Sequence, residues 1–67
     1  MKISARNQLK GKVRSVQLGG IMAEVEVDVG GQTLVSVITK RSAEELKLAT
    51  GDAITVIIKS TEVMIGK

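Results

Sequence analysis

One stretch restricts the fold of this chain more than any other. Between Gly19-Gly20 and Gly30-Gly31, the residues Ala23, Val25, Val27 and Val29 alternate with Glu24, Glu26 and Asp28. A strict two-residue period suits only a β-strand with one face buried and one wet. The valines face a core, and the acids face water or a basic neighbour. Gly30-Gly31 accepts the positive φ angles of a two-residue type I′ connection, so the next strand folds straight back. Leu18-Gly19-Gly20 reads as a tight turn on the other side. The chain is therefore built on a β-meander.

The third strand, about Gln32 to Thr39, carries apolar residues on both faces. Leu34 and Ile38 lie on one side, and Val35 and Val37 on the other. A small barrel leaves one of these sets exposed unless a second chain covers it, which is the clearest pattern-level sign of an oligomer. The first strand, about Ile3 to Gln17, changes its apolar parity: Ile3, Leu9 and Val13 are odd, Val16 and Leu18 even. A bulge or bend has to shift the register, and Gly11 is the natural place for it.

After the third strand, Ser42-Ala43-Glu44-Glu45 has the form of a capping box, in which the Ser42 hydroxyl and the Glu45 carboxylate each satisfy a backbone N–H. It predicts a short helix from Ala43 to about Leu48 with Leu46 packed inward. Ala49-Thr50-Gly51-Asp52 then turns the chain back out. A fourth strand, about Ala53 to Ser60, points Ile54, Val56 and Ile58 inward and Ile57 outward. A fifth is expected at Val63 to Ile65. The predicted class is mainly β: an OB-like five-stranded Greek-key barrel with one short helix between strands 3 and 4.

Sixty-seven residues without an internal repeat make one domain, residues 1–67. A chain this short buries only about 60% of the surface its unfolded form exposes. It contains no Phe, Tyr or Trp, whose rings would add large buried areas, so self-association is the expected supplement. The absence of Cys and His removes the commonest transition-metal ligands. A metal site on the protein is not expected, nor a cofactor; any bound metal has to arrive as a finished anion. The longest unbroken apolar run, Val56-Ile57-Ile58, is far too short to span a membrane or serve as a signal peptide, so a soluble cytoplasmic protein is expected.

Net charge is +3, and its distribution is uneven. Residues 1 to 15 hold Lys2, Arg6, Lys10, Lys12 and Arg14 with no acid. Such an arm can steer anions, meet nucleic acid, or pair with the acidic strand of another copy. By alternation, Ser4, Arg6, Gln8 and Lys10 share one face, opposite Ile3, Ala5, Asn7 and Leu9. A hydroxyl, a guanidinium, an amide and an ammonium without a carboxylate suit a small oxyanion. The same pattern also describes a solvated strand whose charges discourage edge pairing.

The run Ser4-Ala5-Arg6-Asn7-Gln8-Leu9-Lys10-Gly11 resembles the signature of the molbindin (Mop) family. Lys59-Ser60-Thr61-Glu62-Val63-Met64-Ile65-Gly66 is similar to that family's closing motif, and together the two bracket nearly the whole chain. The resemblance implies an OB-like domain that binds molybdate or tungstate reversibly for intracellular storage or homeostasis, without catalysis. It implies sites between subunits of a hexamer built as three dimers, with the first strand exchanged between partners. Carried onto matching positions, the oxyanion ligands are Ser4 and Arg6, Thr39 and Ser42, and Lys59 and Ser60. A second class of site near the threefold axes is implied as well, for which Asn7 and Gln8 are the candidates.

Two other readings stand beside it. A nucleic-acid-binding OB module agrees with the fold and the basic arm, but it lacks the aromatic rings on which single-stranded bases stack. A stand-alone regulatory molybdate-sensing domain is the second. An enzyme is disfavoured, because no His or Cys is available and the carboxylates sit mostly on one strand face or near a helix start.

Overall fold

The computed structural model describes all 67 residues, Met1–Lys67. The elements in order are β1 (Asn7–Leu18), β2 (Met22–Val29), β3 (Gln32–Thr39), α1 (Lys40–Glu45), β4 (Ala53–Ile58) and a 3-10 turn at Ser60–Glu62. The strands form one antiparallel sheet in the order β3-β2-β1-β4. The mainly β, OB-like expectation holds, with the helix where the sequence put it, between strands 3 and 4. The sheet has four strands and not five, because Val63 to Ile65 leaves the 3-10 turn as an unpaired, exposed segment.

The meander follows the alternation closely. Ala23, Val25 and Val27 are fully buried, while Leu34 and Ile38 from β3 and Ile54 and Val56 from β4 pack around them. The hairpin turn has Gly30 at φ +57° and Gly31 at φ +87°, the positive angles of a type I′ turn. The Gly31 N–H donates to Asp28 Oδ1 at 2.9 Å. Val35 and Val37 are more than half exposed, so the second apolar face of β3 has no cover within the chain.

β1 holds the sheet together. Its first half, Asn7 to Lys12, pairs with β4, and from Lys12 to Leu18 it pairs with β2. Straight, eleven steps of about 3.3 Å would span roughly 36 Å, as long as the molecule's longest dimension of 34 Å. The register shift lies between Val13 and Ser15, so the bulge is at Arg14 and not at Gly11. The extra residue moves the inward set from odd to even, which accounts for Val13 and Val16 facing the same core.

Gly11 has a different task. A Cβ there would stand 2.7 Å from the Asp28 carbonyl oxygen, 2.7 Å from Val27 Cγ1 and 3.0 Å from Val29 Cγ2. β1 and the end of β2 therefore approach too closely for any side chain at this position.

The helix begins three residues earlier than the capping box implied. Thr39, in extended conformation, is the N-cap, and its Oγ1 accepts from the Ser42 N–H at 3.0 Å. The end is a Schellman arrangement: Lys47 N–H donates to the Glu44 carbonyl and Leu48 N–H to the Ala43 carbonyl. Lys47 takes the left-handed conformation, φ +52°. Leu46, the C-cap residue just before this reversal, is 66% exposed, while Ala43 is buried and Leu48, just after it, packs against the core. The expectation that Leu46 packs inward is thereby corrected.

β1 also starts later than expected. Residues 1–6 lie outside the sheet, and a bend at Ser4 is held by Gln8, whose Nε2 donates to the Ala5 carbonyl at 2.8 Å. The segment runs back along β4: Met1 shares a groove with Ala53, Ile54 and Thr55, and Ile3 with Ile57. No helix is long and apolar enough to cross a membrane.

Candidate functional site

The six candidate ligands fall into two groups. Ser4, Lys59 and Ser60 line one open recess of about 480 Å³ together with Ile3, Ala5, Ile57 and Thr61. They meet there because β1 and β4 pair through Asn7 and Ile58, which sets the residue stretches just beyond both strands side by side. The recess offers an ammonium and three hydroxyls and no carboxylate. Thr61 was not among the sequence candidates; its place in the closing motif next to Ser60 was the available signal.

The second group is the hydroxyl pair at the start of α1. Thr39 Oγ1 stands 2.8 Å from Ser42 Oγ and donates to it, while accepting from the Ser42 N–H. Thr39 is therefore occupied as cap, and the Ser42 hydroxyl, which accepts from it, keeps its own proton to donate. The capping box had placed the cap at Ser42, with both hydroxyls expected as ligands; the cap is Thr39. Lys40 and Arg41 follow on the same turn and, with Thr39, line a shallow recess.

Within one chain these groups do not converge. Thr39 pairs with Met22, next to the Leu18 end of β1, whereas Ser4, Lys59 and Ser60 are at its Asn7 end. Even with a right-angle bend halfway, the ends of a strand this long stay roughly 25 Å apart. A single tetrahedral anion cannot touch both.

Arg6 is exposed and does not line the Ser4 recess. Asn7 is half-buried at the first rung of the β1–β4 ladder, and the Gln8 amide is engaged in holding the Ala5 bend. No group of three or more His, Cys, Asp or Glu side chains is arranged to hold a metal ion.

A family model described as the TOBE domain matches residues 3–65. The chain is 52% identical over 66 residues to molybdenum-pterin-binding protein 1 of Clostridium pasteurianum, with 97% of each chain covered. These matches decide the family. The chain is a TOBE domain of the molbindin (Mop) family. This TOBE domain is also 49% identical over 67 residues to a probable molybdenum-pterin-binding protein of Haemophilus influenzae, covering 98% of this chain and 97% of the other. Among solved structures, it superposes with a TM-score of 0.95 on a molybdate-binding protein from Sporomusa ovata, 40% identical, with both chains fully covered. The match to these three proteins runs over nearly the whole of both chains, and with the Sporomusa ovata protein it extends to the fold.

Proposed function

We propose that this chain binds molybdate or tungstate reversibly, as the intact oxyanion, for storage or homeostasis in the cytoplasm. The whole chain acts as one domain and performs no chemistry on the anion. The observation that carries the reading is the recess of Ser4, Lys59 and Ser60, an ammonium and hydroxyls without a carboxylate, in a chain matching a molybdate-binding protein over its full length. A tetrahedral dianion offers four acceptor oxygens and no proton, so it calls for donors only. Lys59 supplies charge. At an effective dielectric near 20, a unit pair about 4 Å apart is worth on the order of 4 kcal/mol before desolvation.

Each site is completed by a second copy. The Thr39–Ser42 pair of one chain meets the Ser4, Lys59 and Ser60 group of another, and Arg6, which one chain leaves outside the recess, closes the anion from an exchanged N-terminal segment. A hexamer of three dimers is the expected assembly, and Asn7 and Gln8 are candidates for a further site near its threefold axes. The names of the relatives raise a pterin as a second ligand. A pterin ring is normally held by stacking, and this chain has no aromatic side chain to stack on it. The oxyanion alone is the better match.

Native mass spectrometry with and without molybdate tests the reading, followed by competition with excess sulfate and with a free pterin. The expected result is a hexamer that gains several molybdate ions and keeps them against both competitors. Lys59→Ala and Arg6→Ala should each weaken binding by about 1.5–3 kcal/mol, roughly 10- to 150-fold in Kd, with assembly largely retained. A monomer indifferent to molybdate, or one displaced as readily by sulfate, refutes the proposal.

A further inference from the structure

Residues 1–6 carry Ser4 to its recess, yet little ties them to the sheet. Met1, Lys2, Ile3, Ser4 and Arg6 are exposed, and Ala5 is half-buried. Met1 and Ile3 lie along β4 with 80% and 50% of their surface in water, so apolar contact holds the segment only loosely. No strand ladder includes it, and neither of the chain's two ion pairs involves it. Its one hydrogen bond is the Gln8 Nε2–H to the Ala5 carbonyl, at 2.8 Å.

The sheet sets Gln8 where it can make that bond. Gln8 is the second residue of β1 and shares a rung with Ile57 of β4, and cross-strand partners lie on one face. Ile57 lines the same recess as Ser4, Ala5, Lys59 and Ser60. The Gln8 side chain therefore leaves the sheet on the recess side and reaches back three residues, closing the turn from Ala5 to Gln8. Fixing the Ala5 carbonyl also limits the directions open to Ser4, one peptide away, where the chain bends. Because the bond is local, it holds that bend whether the segment stays on its own chain or passes to a second copy.

We infer that Gln8 is a positioning residue for the oxyanion site, which holds Ser4 over the recess and acts on the anion through Ser4. Untied, the segment presents Ser4 for only part of the time, and the apparent affinity falls by that fraction. An amide suits the task. It donates to the carbonyl without the charge of a lysine, which would compete with Lys59 for the anion, or of a carboxylate, which would repel it. The inference rests on the oxyanion reading above and gives the Gln8 amide a use within the Ser4 site itself.

A double-mutant cycle tests it, with the wild type, Ser4→Ala, Gln8→Met and the double variant each titrated with molybdate by calorimetry. Met keeps the length of the side chain and removes the donor. Gln8→Met alone should raise Kd about 3- to 10-fold, the range set by one hydrogen bond. In the Ser4→Ala background the same change should raise it by less than about 1.5-fold, because the group that Gln8 positions is already gone. Circular dichroism and sedimentation should be those of the wild type for all four proteins.

Equal losses in both backgrounds would make Gln8 a ligand in its own right and overturn the inference. So would a Gln8→Met protein that binds as the wild type does, or one that dissociates, since the residue would then serve assembly. In each of these cases a wild type that binds molybdate leaves the oxyanion reading standing. A wild type indifferent to molybdate refutes both.

Discussion

Gly11→Ala isolates the closest backbone approach in the fold. The added methyl would sit 2.7 Å from the Asp28 carbonyl oxygen and from Val27 Cγ1, and 3.0 Å from Val29 Cγ2, all well inside van der Waals contact. One of the three is a backbone atom in the β1–β2 crossing, and another belongs to a valine that is 1% exposed, so neither can swing away. Relief requires β2 to move off β1 at the rungs Lys12–Asp28 and Val13–Val27. Overpacking of this kind costs about 1–3 kcal/mol, and the lower chain entropy of Ala relative to Gly returns about 0.5–1 kcal/mol. The net loss is about 0–2.5 kcal/mol, centred near 1 kcal/mol, which for a domain of this size lowers Tm by roughly 4–8 °C at the centre of the range. Gly20→Ala is the matched control, because a Cβ at Gly20 has no atom within 4 Å. Thermal unfolding followed by circular dichroism should be run at one fixed chain concentration, since assembly adds to apparent stability. A Tm for Gly11→Ala equal to that of Gly20→Ala refutes the argument and returns Gly11 to the role of a bend.

Two further substitutions separate stability from binding at the helix. Thr39→Val removes the cap accepted from the Ser42 N–H and should cost about 0.5–2 kcal/mol, whereas Ser42→Ala leaves that cap intact and should change stability by less than about 0.5 kcal/mol while weakening molybdate binding in calorimetry. Equal destabilisation by both would mean that the Ser42 hydroxyl is the cap after all. Lys47→Gly relieves a side chain held at φ +52° and should raise Tm by roughly 2–8 °C, corresponding to about 0.5–1 kcal/mol; a lowered Tm would show that the Lys47 side chain matters more than its backbone.

The readable parts of the chain were those in which one residue pattern admits one physical solution. Alternation from Ala23 to Val29 located β2, its buried face and its acidic face, and Gly30-Gly31 gave both the turn and its type. The parity change in β1 announced a bulge and confined it to the residues between Val13 and Val16, which Gly11 precedes. Gly11 drew the inference because glycine often marks bulges, yet a bulge formed at Arg14 needs no glycine. The helix start was misread for a similar reason. Ser42 and Glu45 satisfy the capping-box pattern, but an N-cap needs only a hydroxyl residue leaving an extended strand, and Thr39 came first. With the start three residues earlier the helix also ends earlier, so Leu46 falls at its exposed C-cap and Leu48, beyond the reversal at Lys47, takes the core position; no local signal marks that. Val63 to Ile65 has the composition of a strand and finds no partner edge in its own chain, since strand pairing depends on neighbours and not on propensity alone.

The candidate site was legible residue by residue and illegible as a shape, and the cause lies in chain length. Donor chemistry is local: Ser4, Lys59 and Ser60 can be named from two short motifs. Where those motifs sit relative to Thr39 and Ser42 depends on the course of β1, and a strand of 12 residues carries its two ends to opposite sides of so small a molecule. A larger domain could loop a lid over one end to enclose an anion. This one has five fully buried residues and no aromatic side chain, so it has little core with which to anchor such a lid. On the proposed reading a second copy brings the missing donors. Molybdate affinity measured over a dilution series should then fall as the assembly dissociates, while Lys59→Ala should lower it with assembly intact; an affinity independent of chain concentration across dissociation would mean that one copy holds the anion alone.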